Sequence, residues 1–141
     1  MGAGDTIFGC RGATQGGALT GVTHGRVSPN TVYKVNQGAA GSPGPADAVI
    51  TDKDVVVELY GTNYAALLAR IGVAAATLVI NTYGAAGVSE AITITAVVFA
   101  EIINPVDIPE KDSGGKLAPF GIRGYANFGA AEGFGDVISA A

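Results

Sequence analysis

The sequence predicts a mainly β protein, an antiparallel β-sandwich or small barrel with one short α-helix and long glycine-rich loops. Several segments alternate apolar and polar residues with a period of two, which is typical of strands with one buried face. Glycine and proline recur between these segments and indicate turns. A chain of 141 residues has the length of one domain. We therefore expect a single β domain over residues 1–141.

Ionic side chains are scarce in this chain. Charged residues make up 14% of it, against about 25% in an average soluble protein, while 48% are hydrophobic. Such a composition excludes intrinsic disorder, which requires high charge and few apolar residues. We expect other copies of the chain or a partner to cover part of its apolar surface, as in obligate assemblies. A monomer with an unusually apolar surface is the alternative.

The first third of the chain combines glycine-rich segments with two short apolar runs. Residues 1–21 are interpreted as a glycine-rich N-terminal arm with one short strand near residues 6–8. Residues 20–27 and 31–36 are rich in β-branched residues, and the intervening Ser28-Pro29-Asn30 predicts a hairpin turn.

Residues 37–46 lack a large apolar side chain and predict a long exposed loop. Loops of this length often carry binding or assembly contacts, although a tolerated insertion is an equal alternative. The candidate subunit contacts in this loop are Gln37, Gly41, Pro43 and Pro45.

Residues 49–60 predict a long strand with two different faces. Val55, Val57 and Leu59 would share a buried face, because alternate residues of a strand lie on the same side. The opposite face would carry the acidic side chains. Gly61 ends the strand, and residues 63–70 then predict a helix of about two turns with Thr62 as its N-cap. The acids are Asp52, Asp54 and Glu58.

Residues 75–83 and 89–101 predict a second hairpin, joined by a glycine-rich loop at residues 84–87. One face of the second strand is neither charged nor strongly apolar, which favours contact with another subunit over contact with water. A strand buried inside a sandwich is the alternative. The residues of this face are Thr93, Thr95, Val97 and Phe99.

The C-terminal third predicts shorter elements. Prolines at both ends of residues 104–109 exclude a helix and a central strand there, and favour an edge strand or a linker. Residues 120–128 alternate as a strand, with Gly124 as a candidate bulge. Residues 134–140 predict a last short strand.

The chain offers few residues for catalysis or metal binding. His24 is the only histidine that a hydrolase triad could use, and we interpret it as a surface or subunit-contact residue. Cys10, the only cysteine, is interpreted as a free structural thiol, and two such residues cannot supply the four ligands of a structural zinc site. The acids on strand 49–60 are interpreted as solvated side chains, with a two-carboxylate site as the alternative. No phosphate-binding loop pattern occurs. We expect no enzyme activity, no cofactor and no bound metal.

Net charge and hydropathy limit the kinds of partner that the chain is expected to bind. A net charge of −4 provides no positive surface to bind nucleic acid. The longest apolar stretch, residues 71–80, is far shorter than the roughly 20 residues of a membrane-spanning helix. With one cysteine and no secretory signal pattern, the sequence is compatible with a reducing cytoplasm.

The order of segments over residues 47–129 resembles that of bacteriophage tail tube proteins. A strand is followed by a short helix after a glycine turn, by a strand hairpin and by a closing strand. The segments that carry the resemblance are residues 54–72, 76–80, 97–99, 106–109 and 120–125.

This resemblance implies a structural virion protein with no catalytic residues to transfer. Members of the family form stacked hexameric rings whose sheets join into a barrel through which double-stranded DNA passes. The chain would then assemble with itself and with other virion proteins in the bacterial cytoplasm and reside in the phage tail. The arm at residues 1–21 and the loop at residues 37–46 would be contacts between rings.

We hypothesise that Asp52, Asp54 and Glu58 face the lumen, where like charge would keep passing DNA from binding. Two other functions remain open from the sequence. One is a capsid decoration protein that forms trimers or dimers. The other is a monomeric ligand-binding β-sandwich, against which the scattered aromatic residues argue.

Overall fold

A computed structural model describes residues 8–37, 45–83, 91–104, 120–128 and 133–140. Most of these residues lie in strands, which confirms the predicted mainly β fold. The elements are β1 Phe8–Thr14, β2 Ala18–Leu19, β3 Val22–Gln37, β4 Pro45–Gly61, α1 Tyr64–Leu68, β5 Ala76–Tyr83, β6 Ala91–Asn104, β7 Phe120–Ala126, α2 Phe134–Val137 and β8 Ile138–Ala140.

The eight strands form one antiparallel sheet in the order β2-β1-β5-β6-β7-β4-β3, and β8 pairs with β6 beside β7. The sheet curls so that β1 lies against β3, the strand at its other edge. No ladder joins these two strands in the described part of the chain. The architecture is therefore an incompletely closed barrel, and we call the gap between β1 and β3 the seam.

The inward side chains of the curled sheet form one apolar core. On β4, Val55, Val57 and Leu59 are fully buried, as their alternation predicts. Full burial of such a side chain contributes about 1.5–3 kcal/mol to stability. The other large side chains at the centre of the core are Leu67, Leu78, Ile94, Val97, Phe99, Ile122 and Val137.

Helix α1 follows β4 as predicted but is shorter and starts one residue later. Its N-cap is Asn63, whose side-chain oxygen accepts a hydrogen bond from the Ala66 amide at 3.3 Å. Leu67 is buried against the sheet, whereas Leu68 and Tyr64 are largely exposed. The helix thus covers the barrel with one buried leucine.

The predictions for residues 1–36 need two corrections. Residues 8–19 form β1 and β2, and Ala13 and Leu19 belong to the core, so this part is integrated in the sheet. The Ser28-Pro29-Asn30 turn is wrong, because β3 continues through it and Pro29 pairs with Val55. Proline is tolerated there because an edge strand needs ladder bonds on one side only.

Strand β6 contains an irregularity that the alternation pattern conceals. Ala96 has a positive φ of 53°. In the pairing with β5, Leu78 lies opposite Ile94 and Ala76 lies opposite Val97, so β6 holds an extra residue. This bulge reverses the faces of the strand, because each inserted residue shifts the period of two by one.

The C-terminal elements also differ from expectation in detail. Gly124 is not a bulge, since β7 pairs with β4 in unbroken register from Val56 to Gly61. A side chain at Gly124 would meet the Val98 carbonyl oxygen at 2.5 Å, so glycine is required for close strand packing. Residues 134–140 divide into α2 and the short strand β8.

Candidate assembly surface

The longest strands extend well beyond the barrel. Strand β7 covers β4 only from Val56 onwards, so residues 45–55 of β4 pair with β3 alone among the described residues. Residues 45–54 of β4 and their partners, residues 30–37 of β3, form a projecting two-stranded segment, which we call the ribbon, whereas Val55 already belongs to the core. Isolated two-stranded hairpins are marginally stable in water and gain stability when another surface packs against them.

The ribbon has two chemically different faces. Residues directly opposite in an antiparallel pair share a face, and Tyr33 lies opposite Ile50, as Val35 lies opposite Ala48. These four residues form an apolar face. The other face is mixed and carries the pairs Lys34 with Val49 and Asn36 with Asp47.

A bulge lies within the ribbon, close to its base. Val32 pairs with Asp52 and Tyr33 with Ile50, which leaves Thr51 as the extra residue. The Thr51 hydroxyl donates a hydrogen bond to the Val32 carbonyl oxygen at 3.1 Å. The bulge increases the local twist and so changes the direction of the ribbon relative to the sheet.

The apolar face of the ribbon is open to solvent. Tyr33 is 63% exposed and Ile50 is 59% exposed. The face continues the inward side of β3, since residues 27, 29, 31, 33 and 35 alternate onto one side of that strand. Val27 packs against the core, whereas Tyr33 is not among the described residues that pack against it. The side of β3 that faces the core therefore continues beyond the core residues, and there it is exposed to solvent.

The predicted acidic face of β4 exists, but its members differ. Asp52 and Asp54 are exposed at the base of the ribbon. The Asp52 carboxylate accepts a hydrogen bond from the Lys53 amide at 2.8 Å. The side chain of Glu58 lies over the barrel and is only 12% exposed.

Glu58 belongs to a row of alternating charges across four neighbouring strands. Arg26 lies opposite Glu58, which lies opposite Arg123, which in turn pairs with Glu101. Arg123 donates to Glu58 at 3.3 Å and to Glu101 at 3.2 Å. Opposite charges on adjacent strands stabilise a sheet, so Glu58 is compensated in its own chain.

Tyr60 completes this cluster. Its hydroxyl donates a hydrogen bond to the Glu58 carboxylate at 2.6 Å. This bond lowers the pKa of Glu58, partial burial opposes it, and Arg123 adds to the lowering. The same hydrogen bond raises the pKa of the Tyr60 phenol. Glu58 is therefore a firmly ionised part of the sheet surface.

The predicted contact face of β6 requires a correction. Val97 and Phe99 are buried in the core of their own chain, because the bulge at Ala96 turns them inward. Thr93 is half-buried and lies between β5 and β8, where it pairs with Val79 and Ser139. Thr95 is half-buried next to the bulge. The alternative of a buried strand describes this segment better than a subunit contact.

Two of the predicted loop contacts, Gln37 and Pro45, lie at the outer end of the ribbon. Gln37 ends β3 and Pro45 begins β4, so both strands extend further than expected. Gly41 and Pro43 lie outside the described residues. The candidate contacts Gln37 and Pro45 are therefore ribbon residues.

The single histidine and the single cysteine of the chain make local contacts. The His24 ring packs against Tyr60 with centroids 5.3 Å apart, and the Cys10 thiol donates to the Gly12 carbonyl oxygen at 3.9 Å. Within the described ranges, no group of three His, Cys, Asp or Glu side chains converges as metal ligands. No helix in this part of the chain is long and apolar enough to cross a membrane.

Neither the family models nor the curated proteins compared with the chain contain a match to it.

Proposed function

We propose that the chain is a structural virion protein that assembles with itself into stacked rings of a phage tail tube. The observation that carries this proposal is the ribbon, whose apolar face lies in solvent although it continues the core-facing side of β3. Contiguous exposed apolar surface on a small domain marks an interaction site. The scarcity of charged side chains supports the same conclusion for the rest of the surface.

Strand edges add to this support. Among the described residues, the outer edge of β3 forms no ladder, and along the ribbon β4 forms a ladder on one side only. Unpaired edges invite pairing with another chain unless they are covered. Ring formation would cover them, and the DNA would pass a lumen that Asp52 and Asp54 help to line.

The test is the assembly state of the purified chain over a wide concentration range, measured by light scattering and electron microscopy. Hexameric rings or tubes are the expected particles. Replacing two residues of the apolar face, by Val35→Thr with Ile50→Thr, should raise the concentration required for assembly by about tenfold or more. The control is Val49→Thr on the mixed face, which should assemble like the parent chain.

Other assembly states would favour the alternative functions. Discrete trimers or dimers would favour a capsid decoration protein. A folded monomer that persists at millimolar concentration would overturn self-assembly and leave a ligand-binding domain as the better interpretation.

A further inference from the structure

A cavity of about 290 Å³ opens at the seam of the barrel. Its inner wall holds the aliphatic side chains of Val27, Ile80 and Ile92 together with the buried Thr82, and Cys10 and His24 also line it. His24 is exposed and Cys10 is half-buried, so further polar atoms lie near the opening. The site is thus mostly aliphatic at its base, with one hydroxyl-bearing residue, and polar at its rim.

Two glycines explain why the space is empty. Gly9 on β1 and Gly25 on β3 both line the cavity and contribute no side chain to it. A Cβ atom at Gly25 would lie 3.1 Å from Ile80, so even a small residue would narrow the space. Because β1 and β3 are not paired, no ladder among the described residues closes the cavity from that side.

The ribbon carries a side chain of matching chemistry. Tyr33 is 63% exposed, the highest value among the large apolar side chains of the described residues. A tyrosine has an apolar ring and a polar tip, and it is favoured at interfaces for this reason. An apolar cavity of about 150 Å³ accommodates benzene, so 290 Å³ provides room for a tyrosine ring.

Tyr33 does not reach the cavity of its own copy. It lies six residues beyond Val27 on one continuous strand, which at about 3.3 Å per residue corresponds to about 20 Å. Tyr64 and Tyr125 lie on the body of the barrel, and Tyr83 already packs beside Gly9. The occupant that this chain offers is the Tyr33 side chain of a second copy.

We propose that Tyr33 on the ribbon of one copy inserts into the seam cavity of the next copy. This inference rests on the proposed self-assembly and names the surfaces that meet. The contact is heterologous, because the projecting side chain and the cavity are different surfaces of the chain. Repetition of such a contact generates a ring or an open filament.

Cross-linking tests the contact directly. Cys10 is the single native cysteine and lies in the cavity wall, and Val35→Cys adds a thiol two residues from Tyr33 on the same face of the ribbon. A short bismaleimide should then join chains head to tail into a ladder of trimers, tetramers and larger products. Removing the cavity thiol by Cys10→Ala should abolish the ladder.

Val49→Cys is the matched control, because Val49 is similarly exposed but lies on the mixed face of the ribbon. It should give little product beyond dimers. An equal ladder from Val49→Cys, or no ladder from Val35→Cys in assembled material, would overturn the proposed contact.

Assembly measurements provide an independent check. Tyr33→Ser, which removes the ring, and Ile92→Phe, which fills the cavity from inside, should each raise the concentration required for assembly by about 30-fold. Tyr33→Phe and the mixed-face control Val32→Ser should remain within a few-fold of the parent chain. Thermal unfolding verifies that each variant is folded.

The outcomes separate the two proposals. If the parent chain does not assemble, the proposed function fails and this contact fails with it. If it assembles and Tyr33→Ser and Ile92→Phe assemble equally well, only the contact is wrong.

Discussion

At the scale of single residues, Gln15 joins parts of the barrel that are distant in sequence. It is 2% exposed, and its amide nitrogen donates to the carbonyl oxygens of Ala76 at 3.1 Å and Val97 at 2.9 Å. These carbonyl groups flank the β6 bulge, where the ladder between β5 and β6 is interrupted. Its amide oxygen accepts from Arg70 at 3.0 Å. One side chain thus supplies hydrogen bonds that the bulge removes from the ladder.

We expect Gln15→Met to lower the free energy of unfolding by about 2–4 kcal/mol. The side chain keeps its length but leaves two carbonyl groups without their donor, at about 1–3 kcal/mol for each buried unsatisfied group. Chemical denaturation measures the change. Asn30→Ala is the control, because its exposed amide makes one local hydrogen bond to Ser28, and it should change stability by less than about 0.5 kcal/mol. A Gln15→Met variant as stable as the parent would contradict the role of Gln15.

Nothing in the local sequence indicates this role, since Gln15 lies in a glycine-rich stretch without clear periodicity. Its carbonyl partners lie 61 and 82 residues away. Hydrogen bonds over such separations depend on how the sheet curls, which a window of neighbouring residues does not contain.

At the scale of elements, the charge row ties β3, β4, β7 and β6 together on the outer surface. The Glu58 side chain is mostly buried, whereas the Glu101 side chain is 48% exposed. Exposed ion pairs contribute little because water screens them. The ion pair between Glu58 and Arg123 therefore accounts for most of the stabilisation that the charge row provides.

The pH dependence of stability tests this difference. The folded chain lowers the pKa of Glu58 from its ordinary 4.5, so its contribution is complete above that value and is lost as the pH falls through the folded pKa. We expect Glu58→Gln to destabilise the protein by about 1 kcal/mol near neutral pH, since screening reduces the usual strength of a hydrogen bond to a charged group. The difference from the parent should vanish in strong acid.

Denaturation midpoints measured from neutral pH to strong acid test this expectation. Glu101→Gln, the control at the exposed end of the row, should follow the parent closely at every pH. A Glu58→Gln variant whose deficit persists unchanged in acid would show that packing, and not ionisation, is responsible.

At the scale of the whole molecule, assembly would multiply the few charges that the chain has. Asp52 and Asp54 are exposed at the base of the ribbon, whereas Glu58 is compensated by Arg123. In a ring, each exposed acid is repeated in every copy. Charges act over about 8 Å at physiological ionic strength, so only acids near the passing DNA would affect it.

The proposed lumen leads to a prediction for the assembled particle. Replacing both exposed acids, by Asp52→Lys with Asp54→Lys, should slow DNA ejection several-fold at low salt, because the lumen would attract phosphate. The neutral pair Asp52→Asn with Asp54→Asn should give an intermediate rate. Added salt should reduce the differences. An ejection rate that is the same in all three particles would remove these acids from the lumen.

The sequence by itself determined the class of the fold and most of its strands. Alternation on β4, β5 and β7 is a local signal, because the period of two follows from strand geometry alone. The exposed acids Asp52 and Asp54 followed from the same alternation. The position of the helix after Gly61 was also local, since capping and helix propensity act within one turn.

Only the tertiary structure decided where these patterns stop. The bulge at Ala96 buried Val97 and Phe99, and the edge position of β3 let the strand continue through Pro29. The ladder between β7 and β4 ends at Val56, so among the described strands only β3 pairs with the ribbon part of β4. Each of these outcomes depends on which strand lies beside another. That neighbour is chosen by packing across the whole barrel, so no short stretch of sequence specifies it.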